Sequence, residues 1–238
     1  MPLIETIALT KRYNLTPVLR KLNLTVEKGE FVALLGHNGS GKSTLMRLLC
    51  GLSKPTAGVI RVGGWELPKE AAAVRAQIGV VSHKVLLYDT LTAAENLRFF
   101  GRLYNLQVDH ALIERSLKAV GLARRGDDLV RGFSRGMQQR LSIARALLHQ
   151  PQVLIFDEPY TGLDQDGAAA LDGLLQSAHA QGHTILMATH DLERAAALAE
   201  RAVILTKGQI GHDAPLAGID GAALADTYRT VSGIAAGG

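Results

Sequence analysis

The run Gly36-His37-Asn38-Gly39-Ser40-Gly41-Lys42-Ser43-Thr44 constrains this chain more than any other part of it. Its spacing fits G-x-x-x-x-G-K-[ST], a pattern that works only between a strand and a helix. Phe31-Val32-Ala33-Leu34-Leu35 ahead of it is a continuous apolar run of strand length. Leu45-Met46-Arg47-Leu48-Leu49-Cys50 behind it continues as a largely buried helix. In such a turn, glycines let successive backbone N–H groups face inward, and the helix N-terminus adds partial positive charge. The nine residues therefore predict a cradle for the phosphates of a nucleoside triphosphate. Lys42 is placed to reach the β- and γ-phosphates, and the Ser43 hydroxyl to bind Mg²⁺.

A second strand end carries acid chemistry. Val153-Leu154-Ile155-Phe156-Asp157-Glu158-Pro159 is an apolar strand closing on two carboxylates. Ligands of open α/β sheets bind at the C-terminal ends of strands, so Asp157 can hold Mg²⁺ opposite Ser43. Glu158, one residue on, points elsewhere and is free to polarise a water at the γ-phosphate. Between these motifs lies Gly132-Phe133-Ser134-Arg135-Gly136-Met137-Gln138-Gln139-Arg140, where Ser134 reads as the cap of a following helix. His190 follows the strand that ends Met187-Ala188-Thr189.

Strand-length and helix-length segments alternate through most of the 238 residues. Short strands are predicted at 4–9, 18–26 and 59–62, and helical periodicity over 91–120, with Leu97, Phe100, Leu103 and Tyr104 on one face. From Met137 onward, helix 137–149, strand 153–156, helix 167–180, strand 184–188, helix 192–200 and strand 202–206 imply βαβ units and a parallel sheet. No apolar run reaches the 18 or more residues of a membrane span, and the opening residues lack the basic and apolar stretches of a signal peptide. One cysteine, Cys50, excludes an internal disulfide and reads as a buried small hydrophobe. The net charge of +4 suits a phosphate ligand or an anionic surface, but no basic run with interleaved aromatics marks a nucleic-acid site.

Taken together, the phosphate loop, the Ser134 loop, the Asp157-Glu158 strand end and His190 resemble the ATP-binding cassette ATPases, in the family's order and over nearly the whole chain. The resemblance implies an α/β fold: a P-loop NTPase core with a parallel sheet, an N-terminal antiparallel β-subdomain and an inserted α-helical subdomain. One domain would span 1–230, the helical insertion about 84–145, and a frayed tail 231–238. Tyr13 would stack on adenine. Ser134, Arg135, Gly136 and Met137 would form the signature loop, contacting the ATP of a second cassette in a homodimer or pseudo-dimer. Asp164, within Thr161-Gly162-Leu163-Asp164, would lie in the dimer-interface loop. Glu158 and His190 would be catalytic, His190 by contact with the γ-phosphate. Arg135 and Met137 replace the glycine and glutamine common in the signature. His83 stands where the family usually has a catalytic-site glutamine, and a contact through water suits an imidazole beside Mg²⁺ better than ligation.

His83, with the helix Leu91 to Phe100, looks like the ATP-binding subunits of cytochrome c maturation (heme) exporters. Drug and polysaccharide exporter ATPases have near-identical cores and form the alternative, and a soluble cassette ATPase the third reading. Transport implies integral membrane subunits encoded elsewhere, and a cytoplasmic chain peripheral on the inner face of the membrane, without insertion into it. Leu86, Leu87, Tyr88, Phe99 and Tyr104 are the residues expected to receive a short helix of such a subunit.

Overall fold

The computed structural model describes residues 2–82 and 85–233. The chain opens with β1 (Pro2–Tyr13) and β2 (Thr16–Glu27), a long antiparallel hairpin. With β4 (Ala57–Val62) and β5 (Trp65–Leu67) it forms a four-stranded antiparallel sheet of order β2-β1-β4-β5. A second sheet contains β3 (Phe31–Leu35), β6 (Ile78–Ser82), β7 (Val153–Asp157), β8 (Thr184–Ala188), β9 (Arg201–Thr206) and β10 (Gln209–Pro215) in the order β10-β9-β3-β8-β7-β6. All its pairings are parallel except that of β10 with β9 at the edge.

Continuous apolar strands are what a sheet covered on both faces requires, and alternation assigns each side chain to one face. Phe31, Ala33 and Leu35 of β3 join one core, while Val32 and Leu34 join the other. Strands β7 and β8 divide likewise: Leu154, Phe156, Ile185 and Met187 go to the first core, and Val153, Ile155, Leu186 and Ala188 to the second. The second core lies toward the antiparallel sheet and α1 (Lys42–Leu49). The first takes in α3 (Ala93–Leu103), α4 (His110–Ala119) and α5 (Arg135–Leu147), followed by α6 (Gln165–Ala180), α7 (Leu192–Leu198) and α8 (Gly221–Ser232). A short helix, α2 (Ala71–Gln77), precedes β6. Among the described residues no helix is long and apolar enough to cross a membrane.

Helix α3 corrects the expected apolar face. Its buried side is Ala93, Ala94, Asn96, Leu97 and Gly101, whereas Leu103 and Tyr104 are exposed. Asn96 is fully buried because its amide is saturated by backbone: it accepts from Tyr88 N at 2.8 Å and donates to the carbonyls of Tyr88 and Thr92 at 2.9 Å. Gly101 is the point of closest approach, since a Cβ there would stand 2.4 Å from Val108. Hydrophobicity alone identifies neither residue. Helix α8 reaches Ser232, so the tail boundary expected at 230 falls inside a helix. Helix α5 begins at Arg135 and ends at Leu147, two residues earlier at each end than periodicity suggested.

Candidate active site

The parallel register brings the chemistry to one edge. Ser82 aligns with Asp157, Asp157 with Ala188, and Ala188 with Leu34, so β6, β7, β8 and β3 all end together. From β3 the chain turns through residues 36–41 into α1, and the turn requires its glycines. Gly36 has φ 151° and a Cβ there would lie 2.5 Å from the Leu205 carbonyl. Gly41 has φ 112° and a Cβ would meet Leu19 at 2.7 Å. No side chain caps α1, which leaves its first N–H groups for an anion. Ser40 is fully buried and its hydroxyl makes no hydrogen bond, a further donor inside the loop. At the loop's apex, His37 Nδ1 lies 2.7 Å from the Asn38 carbonyl oxygen, and Asn38 and Gly39 are exposed.

Lys42 is buried, and its ammonium donates to the carbonyls of Gly36 and His37. Burial lowers its pKa, while the negative charges of Glu158 and Asp157 work in the opposite direction. Lys42 is thus a cation held in the loop and facing both carboxylates, as phosphate binding demands. Ser43 and Thr44 follow in the first turn of α1. The donors that the sequence reading assigns to a cation, the Ser43 hydroxyl and the Asp157 carboxylate, are oxygens only. No cluster of three His, Cys, Asp or Glu forms a cage among the described residues. Such a donor set fits Mg²⁺, which keeps water and substrate oxygens around it. Tyr13, at the end of β1, is 46% exposed, with the Lys11 ammonium 4.8 Å from its ring centroid.

Glu158 leaves β7 with φ 51°, in the left-handed region. Its backbone N–H donates to the Ala188 carbonyl at 2.9 Å, tying it to the end of β8. There His190 Nδ1 meets Glu158 Oε2 at 2.7 Å. The two residues are 32 positions apart, and sequence reasoning aimed His190 at phosphate without finding this contact. Arg145 of α5 was also missed: it donates to the carbonyls of Leu86 and Val80 at 2.6 and 2.7 Å. His83 lies outside the described residues.

The Ser134 loop forms a separate site. Ser134 caps α5, accepting from Met137 N at 3.3 Å. Asp164 caps α6 by accepting from Gly167 N at 2.8 Å. Ser134, Arg135, Gly136, Gly162 and Asp164 line one pocket of about 430 Å³ that includes no residue of the phosphate loop. Met137 is half-buried against the core.

A family model described as "ABC transporter" matches residues 19–161, more than half of the chain. The chain belongs to the ABC transporter family of ATP-binding cassettes. It is 40% identical over 195 residues to the ABC transporter ATP-binding protein NatA of Bacillus subtilis, covering 81% of this chain and 79% of NatA. It is 40% identical over 208 residues to the Nod factor export ATP-binding protein I of Rhizobium meliloti, covering 87% of this chain and 62% of that protein. A solved ATP-binding subunit of an ABC transporter superposes with a TM-score of 0.85 at 33% identity, over 96% of this chain and 99% of the other. A cassette solved as a dimer in a post-hydrolysis state with ADP and Pi gives 0.81 at 29% identity, over 90% and 98%. The α/β fold with its antiparallel β-subdomain is that of the ABC cassettes. ATP binding and membership of the ABC ATPases follow from the family.

Proposed function

We propose that this chain is the ATP-hydrolysing subunit of an ABC transporter, closing with a second cassette around two MgATP to drive transport through separate membrane subunits. The observation that carries this reading is the split of the site. Lys42, Asp157, Glu158 and His190 gather at one sheet edge, while Ser134, Gly136 and Asp164 line a different pocket of the same chain. Completing either half takes the other half of a partner, in line with the dimeric cassette it resembles.

In this reading the loop N–H groups and Lys42 bind and orient the β- and γ-phosphates. Ser43 and Asp157 are the residues that would hold Mg²⁺, which when bound would supply charge neutralisation at the phosphate oxygens. Glu158 accepts the proton of the attacking water. An ionised Glu158 only accepts hydrogen bonds, so the shared proton resides on His190 Nδ1. That bond aims the imidazole, and a cationic His190 donates through Nε2 to the phosphate as its charge grows. Tyr13 offers its exposed ring to adenine. The signature loop, Ser134 to Met137, reads the partner's nucleotide, with Arg135 and Met137 as substitutions that spare the Ser134 cap and Gly136.

Docking to the membrane subunits falls to the junction of core and helices. Leu86, Tyr88, Phe99 and Tyr104 are exposed there, and Leu87 is half-buried. Beside them a groove of about 210 Å³ is lined by Leu52, Leu86, Phe100 and Tyr104. In this reading the chain sits peripherally on the inner face of the membrane. For the cargo, His83 and the segment Leu91 to Phe100 are the sequence grounds for heme export in cytochrome c biogenesis, while the named relatives carry no such description; at the nucleotide, His83 would act through water. The second reading, a drug or polysaccharide exporter, is supported by relatives named for Nod factor export and for linearmycin resistance. Purifying the chain with its membrane subunits tests both. Heme that co-purifies and stimulates ATP hydrolysis supports the first reading, and stimulation by a drug or polysaccharide without heme supports the second. A chain that recovers no membrane protein speaks for a non-transport ATPase.

A further inference from the structure

The two residues that meet at 2.7 Å are held unequally: the Glu158 backbone N–H is tied to the Ala188 carbonyl, and the His190 side chain lies largely in solvent. Glu158 holds a left-handed backbone, which persists only where neighbours over-determine it. The His190 side chain is 78% exposed, so burial does not orient it.

The stretches that follow them are anchored to each other. Two residues beyond Glu158, the Tyr160 hydroxyl donates to Asp172 Oδ1 of α6 at 2.7 Å. The other carboxylate oxygen of Asp172 accepts from the Arg194 guanidinium of α7. Arg194 Nε lies 3.2 Å from Asp191, the residue immediately after His190, and Asp191 caps α7 by accepting from Arg194 N at 3.0 Å. The Arg194 guanidinium also stacks over the Tyr160 ring, 4.8 Å from its centroid. The circuit Glu158, Tyr160, Asp172, Arg194, Asp191, His190 is therefore closed.

We propose that Tyr160, Asp172 and Arg194 are positioning residues: they form a clamp that fixes the loops of Glu158 and His190 in their hydrogen-bonded arrangement for ATP hydrolysis. The inference rests on the assignment of Glu158 as base. A bond between Asp172 and Arg194 alone would suffice to join α6 to α7; the Tyr160 hydroxyl brings in the catalytic loop. Tyr160 stays a donor, because burial and then the Asp172 hydrogen bond push its pKa far up. Burial works against the Arg194 charge, but the Asp172 hydrogen bond and charge raise its pKa overall. Asp172 and Arg194 side chains are about a quarter exposed, so solvent screens this pair less than a surface ion pair.

The test is steady-state ATP hydrolysis by the full chain. Tyr160→Phe keeps the ring and removes one donor; Arg194→Lys keeps the charge and removes the fork that reaches both Asp172 and Asp191. Both should lower kcat about 10–100-fold with KM for ATP unchanged, the range for partners that orient reacting groups. Placed in a His190→Ala background, Tyr160→Phe should cost nothing further. Full kcat in Tyr160→Phe, a loss that multiplies with that of His190→Ala, or a change confined to KM would overturn the clamp. Should Arg194→Lys fold poorly, Tyr160→Phe carries the test alone, with its melting temperature measured alongside. An inactive Glu158→Gln beside a fully active Tyr160→Phe overturns only the clamp. A Glu158→Gln chain hydrolysing at the parental rate overturns the base assignment and the clamp with it.

Discussion

At the scale of residues, burial and charge separate groups that act from groups that fill space. Lys42 is a buried cation facing two carboxylates, so Lys42→Ala should weaken ATP binding by losing a charge-assisted contact. Glu158→Gln keeps shape and loses the base: hydrolysis should fall about 10²–10⁴-fold while ATP still binds. Phosphate release and nucleotide titration measure the two effects side by side. Cys50 shows the opposite case. Burial, then the charge of Asp157, push its thiol up to about 12. A maleimide at pH 8 should leave the native chain unlabelled and label it once denatured; fast native labelling would contradict the burial. Because the folded value lies above the ordinary 9.0, this contribution to stability is whole below pH 9 and is lost as pH rises through about 12. The phosphate loop and Asp157-Glu158 were legible because each motif is contiguous. The Glu158–His190 bond was not, because it exists only through the register of β7 with β8.

Elements were readable in proportion to what they bury. Strands β3 and β8 bury every residue, and the sequence placed both at the right positions. By contrast, α2 buries only Val74, α8 only Leu224, and β10 no residue fully, so none of the three carried a pattern strong enough to predict. Helix α3 was found and its face misread, because it buries an asparagine and a glycine and exposes Leu103 and Tyr104. Capping offers a test at this scale. Ser134→Ala removes the oxygen that accepts from Met137 N, and should cost about 1 kcal/mol of stability. A thermal melt reads that loss. If Ser134 also reads the partner's nucleotide, ATP-dependent association should fall by more than the melt explains. Phe99→Glu on the exposed side of α3 should break co-purification with the membrane subunits, and unchanged recovery would move the docking surface elsewhere.

For the molecule as a whole, the decisive feature is that the pocket lined by Ser134, Gly136 and Asp164 includes no residue of the phosphate loop. The family resemblance implies a Ser134 loop that serves a second cassette; composition and net charge carry no such information, since neither reports where loops meet. Mixing Ser134→Arg chains with Lys42→Ala chains should restore hydrolysis, because each heterodimer pairs one intact phosphate loop with one intact Ser134 loop. Either variant alone should stay inactive. The most direct measurement is sedimentation of Glu158→Gln across a range of MgATP concentrations. The account predicts a monomer or weak dimer without nucleotide and a stable dimer with two bound ATP once it is added. A chain that binds ATP and still sediments as a monomer at every concentration would contradict it.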